Sequence, residues 1–554
     1  MSESVLEKKS FTDILEEIKT VYLNDNRPWI IGFSGGKDST CMVQLVWNAL
    51  SALPAEKLTK KIYIISSNTL VEAPQIAERI TGSLDRMEKN AKKIGLPIGT
   101  NLLRPPTKDT FWVRLLGLGY PAPTTLFRWC TDMLKISNAD RFIQETVSKH
   151  GEAIVLLGTR KSESIVREKS MNLYKIENSV LSRHSKFDQT FVYTPIEDLS
   201  SEDVWNYLLE NENPWGEENR DLLAMYQDAN ASECPLVIDT TTPSCGGGRF
   251  GCWTCTVVDE QSYLTNLIDN DDEKNGWMIV LAELRQKLKD TQDSSVWEQY
   301  RERKRRNGGI DLKTHDKIIC ADDKCGYKNA STLNKCKECS KPLTKKCKNC
   351  GGENIPSSIE CKKCFKSLIE YTPGPYKMTF RKQFLKDLLE GQVKIQKLKK
   401  DPDMELILEE EIIEIQRIWR MEQGDWKNTA YTIYTEIIGK NLNTVQTELG
   451  NFSETEQELL ETICTTHKIP SKLVSVLLNL ELKSQGANRH SKIFTKIRSE
   501  LSKEWSDVDN DAEFKEIMIK QHKRKNIKDK ADPIQEKDKP KFRRKTTLNE
   551  KQGE

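Results

Sequence analysis

The chain has 554 residues, enough for about three to five domains and more than one hydrophobic core. Charged residues make up 30% of it, yet the formal net charge is +2, which excludes a bulk polycation and confines any nucleic-acid surface to a local patch. It carries no run of 18 apolar residues and no basic-then-apolar leader, and its 15 cysteines are rich in C-x2-C pairs; these features predict no membrane span, no secretory signal, and metal ligands in a reducing cytoplasm rather than disulfides.

In chain order, Phe11, Ile14, Leu15, Ile18 and Val21 recur at helical spacing and predict a helix over 11–23. Pro28-Trp-Ile-Ile-Gly-Phe33 predicts a buried strand that runs into Ser34-Gly-Gly-Lys-Asp-Ser-Thr40 and a helix starting near Cys41. A second strand is expected at 62–66, a helix over about 74–91 and a third strand at 152–157. Strands alternating with helices predict an α/β fold, a parallel sheet with helices on both faces. Ser201-Glu-Asp-Val204 is a capping signal for a helix over 201–210. Residues 231–256 are dense in Gly and Cys, 273–306 read as a charged helical stretch, and 317–366 are rich in Lys and Cys. The pattern is helical over 376–522, and the basic residues 523–554 are expected to be disordered. Five expected domains result: an α/β domain over 1–230, a cysteine segment with a helical extension over 231–316, a tandem cysteine-rich block over 317–370, a helical domain over 371–522, and the tail over 523–554.

The loop after the first strand is the most informative segment. Gly35 and Gly36 lack a Cβ and let the backbone approach an anion. The helix that follows offers unpaired N–H groups and a partial positive charge. Lys37 adds a point charge, and Ser39 and Thr40 add hydroxyls. This is a phosphate cradle, and it is not the G-x-x-x-x-G-K-[ST] loop. Ser34 to Ser39 resemble the S-G-G-x-D-S loop of the ATP pyrophosphatases (PP-loop, or adenine-nucleotide alpha-hydrolase-like, enzymes), which cleave ATP between the α and β phosphates. That resemblance makes Lys37, Asp38 and Ser39 catalytic and Ser34, Gly35, Gly36 and Thr40 ATP-binding, with Mg2+.

Three further segments extend it. Gly158-Thr-Arg-Lys-Ser-Glu-Ser164 with Arg167 resembles the G-x-R-x-x-E-S-x-x-R segment of the phosphosulfate reductases; Gly158, Arg160 and Arg167 are then expected at the nucleotide, the arginines as bidentate phosphate donors. Phe127-Arg-Trp-Cys-Thr131 with Leu134-Lys135, and Thr194-Pro-Ile-Glu-Asp-Leu-Ser-Ser-Glu-Asp-Val-Trp205, are similar to two more segments of those enzymes. The reductases' E-C-G-x-H nucleophile is missing, as is an adjacent Cys-Cys pair. Ser66-Ser-Asn-Thr-Leu-Val-Glu72 and Cys245-Gly-Gly-Gly-Arg-Phe-Gly-Cys-Trp-Thr-Cys255 instead resemble the DndC family, the ATP pyrophosphatases of DNA phosphorothioation. This resemblance implies ATP-dependent sulfur transfer to DNA, with a cysteine desulfurase as sulfur donor and sister phosphorothioation proteins as partners. A backbone phosphate would be adenylylated, pyrophosphate released, and a non-bridging oxygen then replaced by sulfur.

Cys234, Cys245, Cys252 and Cys255 are spaced C-x10-C-x6-C-x2-C. Four thiolates hold either a 4Fe–4S cluster or zinc, and spacing does not separate them; the DndC resemblance implies the cluster. Cys130, beside Arg128, is expected to have a lowered thiol pKa and to serve as a sulfur carrier, a substitute cluster ligand or a buried core residue. Cys320, Cys325, Cys336 and Cys339, then Cys347, Cys350, Cys361 and Cys364, repeat one layout and predict two four-cysteine zinc ribbons, too polar to fold without metal. Their many lysines suit phosphate tracking, protein docking or plain solvation. Two other functions stay open: PP-loop thiolation of tRNA or sulfonucleotide metabolism, and a non-catalytic, ATP-gated nucleic-acid-binding subunit.

Overall fold

The most apolar strand lies inside the sheet. β1 (Trp29–Gly32) pairs in parallel with β2 (Ile62–Ser67) on one side and β4 (Ala153–Leu156) on the other. β3 (Ile98–Leu103) adds beyond β2 and β6 (Thr190–Tyr193) beyond β4, both parallel; β5 (Leu181–Arg183) ends the sheet antiparallel to β6. The order is β3-β2-β1-β4-β6-β5. The computed structural model describes residues 10–229, 251–259, 262–270, 275–306, 308–312, 318–322, 325–329, 333–356, 358–368, 370–442, 454–482, 484, 491–502, 505, 514 and 516–519. Cys234, Cys245 and the expected tail lie outside them.

Both faces of β1 are covered, as parallel sheets require. Trp29 and Ile31 join the large core with α1 (Phe11–Leu23), α2 (Lys37–Ser51) and α3 (Pro74–Ile94). Ile30 joins Ile65, Val155 and Ile143, the last from α4 (Ser137–His150), on the opposite face. The caps are local. Ser10 and Asp13 close a reciprocal box at α1. Ser200, one residue before the predicted signal, does the same with Asp203 at α6 (Ser201–Glu210). The charged stretch 273–306 is not one helix. It contains α9 (Ile279–Asp290) and a short turn at Trp297–Tyr300, separated where the Asp293 carboxylate accepts from the Ser295 amide at 2.8 Å. α8 (Ser262–Asn270) precedes it.

The chain groups into two compact units, Met1–Tyr300 with Tyr376–Thr462, and Arg301–Pro375 with Ile463–Glu554. Residues 371–522, expected as one helical domain, divide between them. The reason is burial. α10 (Met378–Lys399) and α11 (Glu409–Ile418) pack into the α/β core of the first unit. The Trp112 indole donates to the Leu406 carbonyl at 2.7 Å, and the Trp419 indole to the Leu116 carbonyl at 2.7 Å. Arg381, 1% exposed, donates to the carbonyls of Gly117 and Tyr376. In the second unit, each ribbon carries one two-residue antiparallel pair, Ile318–Ile319 with Lys328–Asn329 and Lys345–Lys346 with Glu353–Asn354. A third pair, Asp311–Leu312 with Tyr371–Thr372, joins the ends of the insertion. No helix among the described residues is long and apolar enough to cross a membrane.

Candidate functional site

β1 and β4 are neighbours whose connections depart in opposite directions, so their C-terminal ends open a crevice. The phosphate cradle forms its β1 side. Gly35 has a φ of +73°, and a Cβ there would meet Ile80 at 3.0 Å. Gly36 caps α2 without any side-chain hydrogen bond of its own. The Ser39 hydroxyl donates to the Gly36 carbonyl at 3.0 Å and accepts from the Ser34 amide at 3.2 Å. The Thr40 hydroxyl is buried without a hydrogen-bond partner. An unsatisfied buried hydroxyl one residue beyond the loop suits an added polar ligand.

The β4 side comes from the Gly158 segment. A Cβ at Gly158 would fall 2.9 Å from the Asp38 carbonyl oxygen and 3.0 Å from the Ser39 Cα, so the two loops touch backbone to backbone. Arg160, 5% exposed, donates from Nε to Asp38 Oδ1 at 2.6 Å and from Nη1 to the Leu199 carbonyl at 3.3 Å. The Lys37 ammonium reaches Asp38 Oδ2 at 3.2 Å. Two cations share one carboxylate, which leaves the cradle net positive. Arg167, on α5 (Ile165–Leu173), pairs with Glu163, whose other oxygen accepts from the Arg160 amide. Thus Arg160 sits at the loop and braces Asp38, while Arg167 stands one residue further out, on Glu163.

The loop after β2 carries the thiol chemistry. Thr69 is fully buried, and its hydroxyl lies 3.4 Å from Cys252 Sγ. Residues 251–253 run alongside: Trp253 donates to the Val71 carbonyl at 3.0 Å, and Glu72 and Cys252 form a bridge. Cys252 and Cys255 make a tight turn, Cys255 amide to Cys252 carbonyl at 3.0 Å, held from behind by Arg285 on the Cys255 carbonyl at 2.8 Å. Cys130 is brought in by Trp129, which is buried, stacked on Phe111 and bonded to the Pro121 carbonyl at 2.9 Å. Burial pushes the Cys252 thiol up to about 11, with Lys135 and Thr69 opposing and Glu72 and Cys130 adding to the rise. Burial also raises the Cys130 thiol, and the neighbouring Cys255 raises it further. The lowered Cys130 pKa expected from Arg128 is therefore not found: Arg128 is exposed, and the sulfur's surroundings are apolar and thiol-rich. Burial raises the Glu72 carboxyl as well, against Lys135 at 3.8 Å.

The ribbons form two sulfur quartets, each with all four sulfur atoms within 4.8 Å of one another. Cys320 and Cys339 lie 3.5 Å apart, Cys325 and Cys336 3.7 Å, Cys347 and Cys364 3.7 Å, and Cys350 and Cys361 3.6 Å. A tetrahedral ion with bonds of about 2.3 Å to sulfur spaces its ligands by about 3.8 Å, so each quartet fits one metal ion. In each, the residue after a cysteine turn is left-handed: Gly326, Ser340, Gly351 and Phe365.

The structure brings the Ser34–Thr40 loop, Gly158 and Arg160 together and gathers each ribbon's four sulfur atoms, and it sets Cys130 near Cys255 and Cys252, an alternative the sequence left open. Sequence reasoning missed two features. Tyr226, on α7 (Asn219–Ala229), accepts from the Lys37 amide at 3.2 Å. Asn329 and Asn354 are buried and donate to Cys336 Sγ at 3.3 Å and Cys361 Sγ at 3.5 Å, while their carbonyls accept from the Lys337 and Lys362 amides. Each asparagine precedes its cysteine by seven residues, so the ribbon repeat itself held that signal.

Residues 28–257 match the phosphoadenosine phosphosulfate reductase domain family. An uncharacterized protein of Methanocaldococcus jannaschii is 26% identical over 198 residues, covering 36% of this chain and 35% of its own, so the chain spans about a third of the length of that curated relative. Among solved structures, the phosphoadenylyl-sulfate reductase of Candida auris is 17% identical, with a TM-score of 0.25 over 40% of this chain and 87% of that one. The U34-tRNA thiolase NcsA of Methanococcus maripaludis, solved with its 4Fe–4S cluster, is 16% identical, with a TM-score of 0.24 over 41% and 76%. The matched residues, 28–257, include the whole of the six-stranded, mostly parallel sheet and so have a mixed α/β architecture.

Proposed function

We propose, from a chain whose residues 28–257 are a reductase-like domain of this kind, that it is an ATP-dependent sulfurtransferase acting in DNA phosphorothioation. One juxtaposition carries the reading. The loop after β1 is an anion cradle, and the loop after β2, the strand hydrogen-bonded to it, meets Cys252, with Cys130 and Cys255 beside it. Phosphate chemistry and thiol chemistry leave adjacent strands at the same edge of the sheet. A nucleotide-cleaving enzyme alone needs no thiol group there, and a thiol oxidoreductase alone needs no cradle.

ATP with Mg2+ would place its phosphates on the loop amides, Lys37 and Ser39. Asp38, held by Arg160, bridges the two cations and keeps both beside the loop. Attack of a substrate phosphate oxygen on the α phosphorus expels pyrophosphate and leaves an adenylylated phosphate. Sulfur at the sulfide level then displaces AMP with no electrons left over; sulfur from a persulfide needs two electrons from a second thiol. The DndC resemblance supports DNA as substrate, with a cysteine desulfurase and sister proteins as partners. Cys252, Cys255 and Cys130, together with Cys234 or Cys245, would hold a 4Fe–4S cluster, which would supply an iron site for sulfur or a route for electrons. Zinc is the ion that fits the ribbons, because it takes four thiolates tetrahedrally and lends folding free energy to polar modules.

The test is mass spectrometry of nuclease-digested DNA and tRNA from cells carrying the wild type or Lys37→Ala. Phosphorothioate dinucleotides that vanish in the variant support the reading. Loss of a thiolated tRNA base instead moves the same chemistry to another substrate. Unchanged nucleic acids, with ATP bound and no pyrophosphate released, would leave an ATP-gated binding subunit.

A further inference from the structure

The amide of Lys37 is the first of α2 and has no partner inside the helix. It donates to the Tyr226 hydroxyl at 3.2 Å. The Lys37 ammonium lies 5.5 Å from the centroid of the same ring. A Cβ on Gly36 would come within 3.2 Å of that hydroxyl, so the glycine loop and the tyrosine are in close contact. Tyr226 therefore rests on both groups of Lys37 that a phosphate would seek. Its ring stands edge-on to Trp205 at 5.2 Å, and Trp205 is 1% exposed on α6, the helix that directly follows the Leu199 carbonyl held by Arg160.

We propose that Tyr226 competes with the nucleotide for Lys37, so that nucleotide binding loosens the contact of α7 with the loop. The inference rests on the loop's reading as a nucleotide site. A backbone N–H makes one short bond, and a charged phosphate oxygen accepts about twice as strongly as a neutral phenol. The ammonium likewise gains more from a phosphate than from a ring face. Both contacts of Tyr226 with Lys37 are thus lost to the same ligand. Tyr226 is in this sense a positioning residue for the loop after β1.

The opposite role has the opposite sign. If the hydroxyl stayed in place and donated its own proton to phosphate, its removal would weaken binding. Tyr226→Phe decides between them, because it keeps the ring on Trp205 and near the Lys37 ammonium and removes the hydroxyl that accepts from the Lys37 amide. The full-length protein is titrated with ATP and with pyrophosphate, and hydrogen exchange of residues 219–229 is followed with and without ATP. We expect Tyr226→Phe to bind both about three- to ten-fold more tightly, the loss of one neutral competing hydrogen bond. In the wild type, ATP should speed exchange in α7. Equal or weaker binding by Tyr226→Phe overturns the proposal, and so does α7 exchange that ATP leaves unchanged or slows. Should Tyr226→Phe fold poorly, the wild-type exchange result decides alone. A wild type that binds neither ATP nor pyrophosphate sinks the nucleotide reading itself, and this inference with it.

Discussion

Gly158→Ala should damage the site by contact alone. The added methyl would sit 2.9 Å from the Asp38 carbonyl oxygen and 3.0 Å from the Asp38 carbonyl carbon and the Ser39 Cα. Carbon contacts are comfortable near 3.5–4.0 Å, so the loops must part by about 0.5–1 Å. All three atoms are backbone in the first turn of α2, and no side chain can swing away. Overpacking of this kind costs about 1–3 kcal/mol of stability. Parting the loops also draws Asp38 off Arg160, and a misplacement of about 1 Å at a cradle costs up to about 100-fold in activity. Gly151→Ala is the control. It has a φ of +84° and nothing within 4 Å of its Cβ, so it should lose about 1–2 kcal/mol through backbone strain and leave ATP affinity intact. Urea unfolding and ATP titration of both variants separate the effects. A Gly158→Ala protein within about 0.5 kcal/mol of wild type, with unchanged ATP affinity, would refute the argument from contact.

Burial raises Glu411 to about 7, with Glu410 and Glu405 adding to the rise and the Leu408 amide and Thr110 opposing it. The folded state then holds a proton that the unfolded state releases near pH 4.5, so this contribution is full below that pH and is lost as pH rises through 7. Glu411→Gln should therefore gain on wild type by roughly 3 kcal/mol between pH 5 and pH 8; a difference that stays flat across that range counts against the buried-acid account. Cys130→Ser and Cys252→Ser should each lose iron and the broad absorbance near about 400 nm while keeping zinc; metal analysis that finds iron intact in both places the cluster elsewhere. Asn329→Ala should weaken zinc binding at the first ribbon about 10- to 100-fold, read by chelator competition, because it removes a donor to Cys336 and the acceptor for the Lys337 amide. Unaltered release kinetics would make the asparagine a packing residue only.

Legibility in the sequence followed burial. β1 is apolar at Trp29, Ile30 and Ile31 and buried on both faces, so its run of residues announced it. β3 is Ile98-Gly-Thr-Asn-Leu-Leu103, a sheet edge with only Ile98 buried, and carries neither alternation nor a run. β5 and β6 are three and four residues long and equally faint. The cradle was legible because its chemistry lies within six consecutive residues. The meeting of Cys130 with Cys252 was not, because Trp129, Pro121 and Thr69 from distant segments create it. Nor was the docking of α10 and α11, whose apolar faces suit any core and whose actual partners are the carbonyl of Leu116 and the indole of Trp112. Helical spacing gives the face of a helix and not its neighbour.

The ribbon-bearing insertion leaves and re-enters the chain at one place. The Lys377 amide donates to the Tyr300 carbonyl at 2.8 Å, and the next rung, Glu302 to Pro375, is also 2.8 Å. A segment whose two ends lie side by side behaves like a loop of zero span. Its ends stay together whether its interior is ordered or not, and closing it costs the first unit almost nothing beyond the fixed entropy of the junction. Chelating the ribbons should thus melt them while the α/β sheet keeps its own unfolding transition, and a short linker from Tyr300 to Tyr376 should leave the sheet intact while taking from Phe514 its partners Tyr371 and Arg303. The same geometry makes the ribbons exchangeable cargo: another module with adjacent termini could be carried at this junction without rewriting the sheet that holds the phosphate loop.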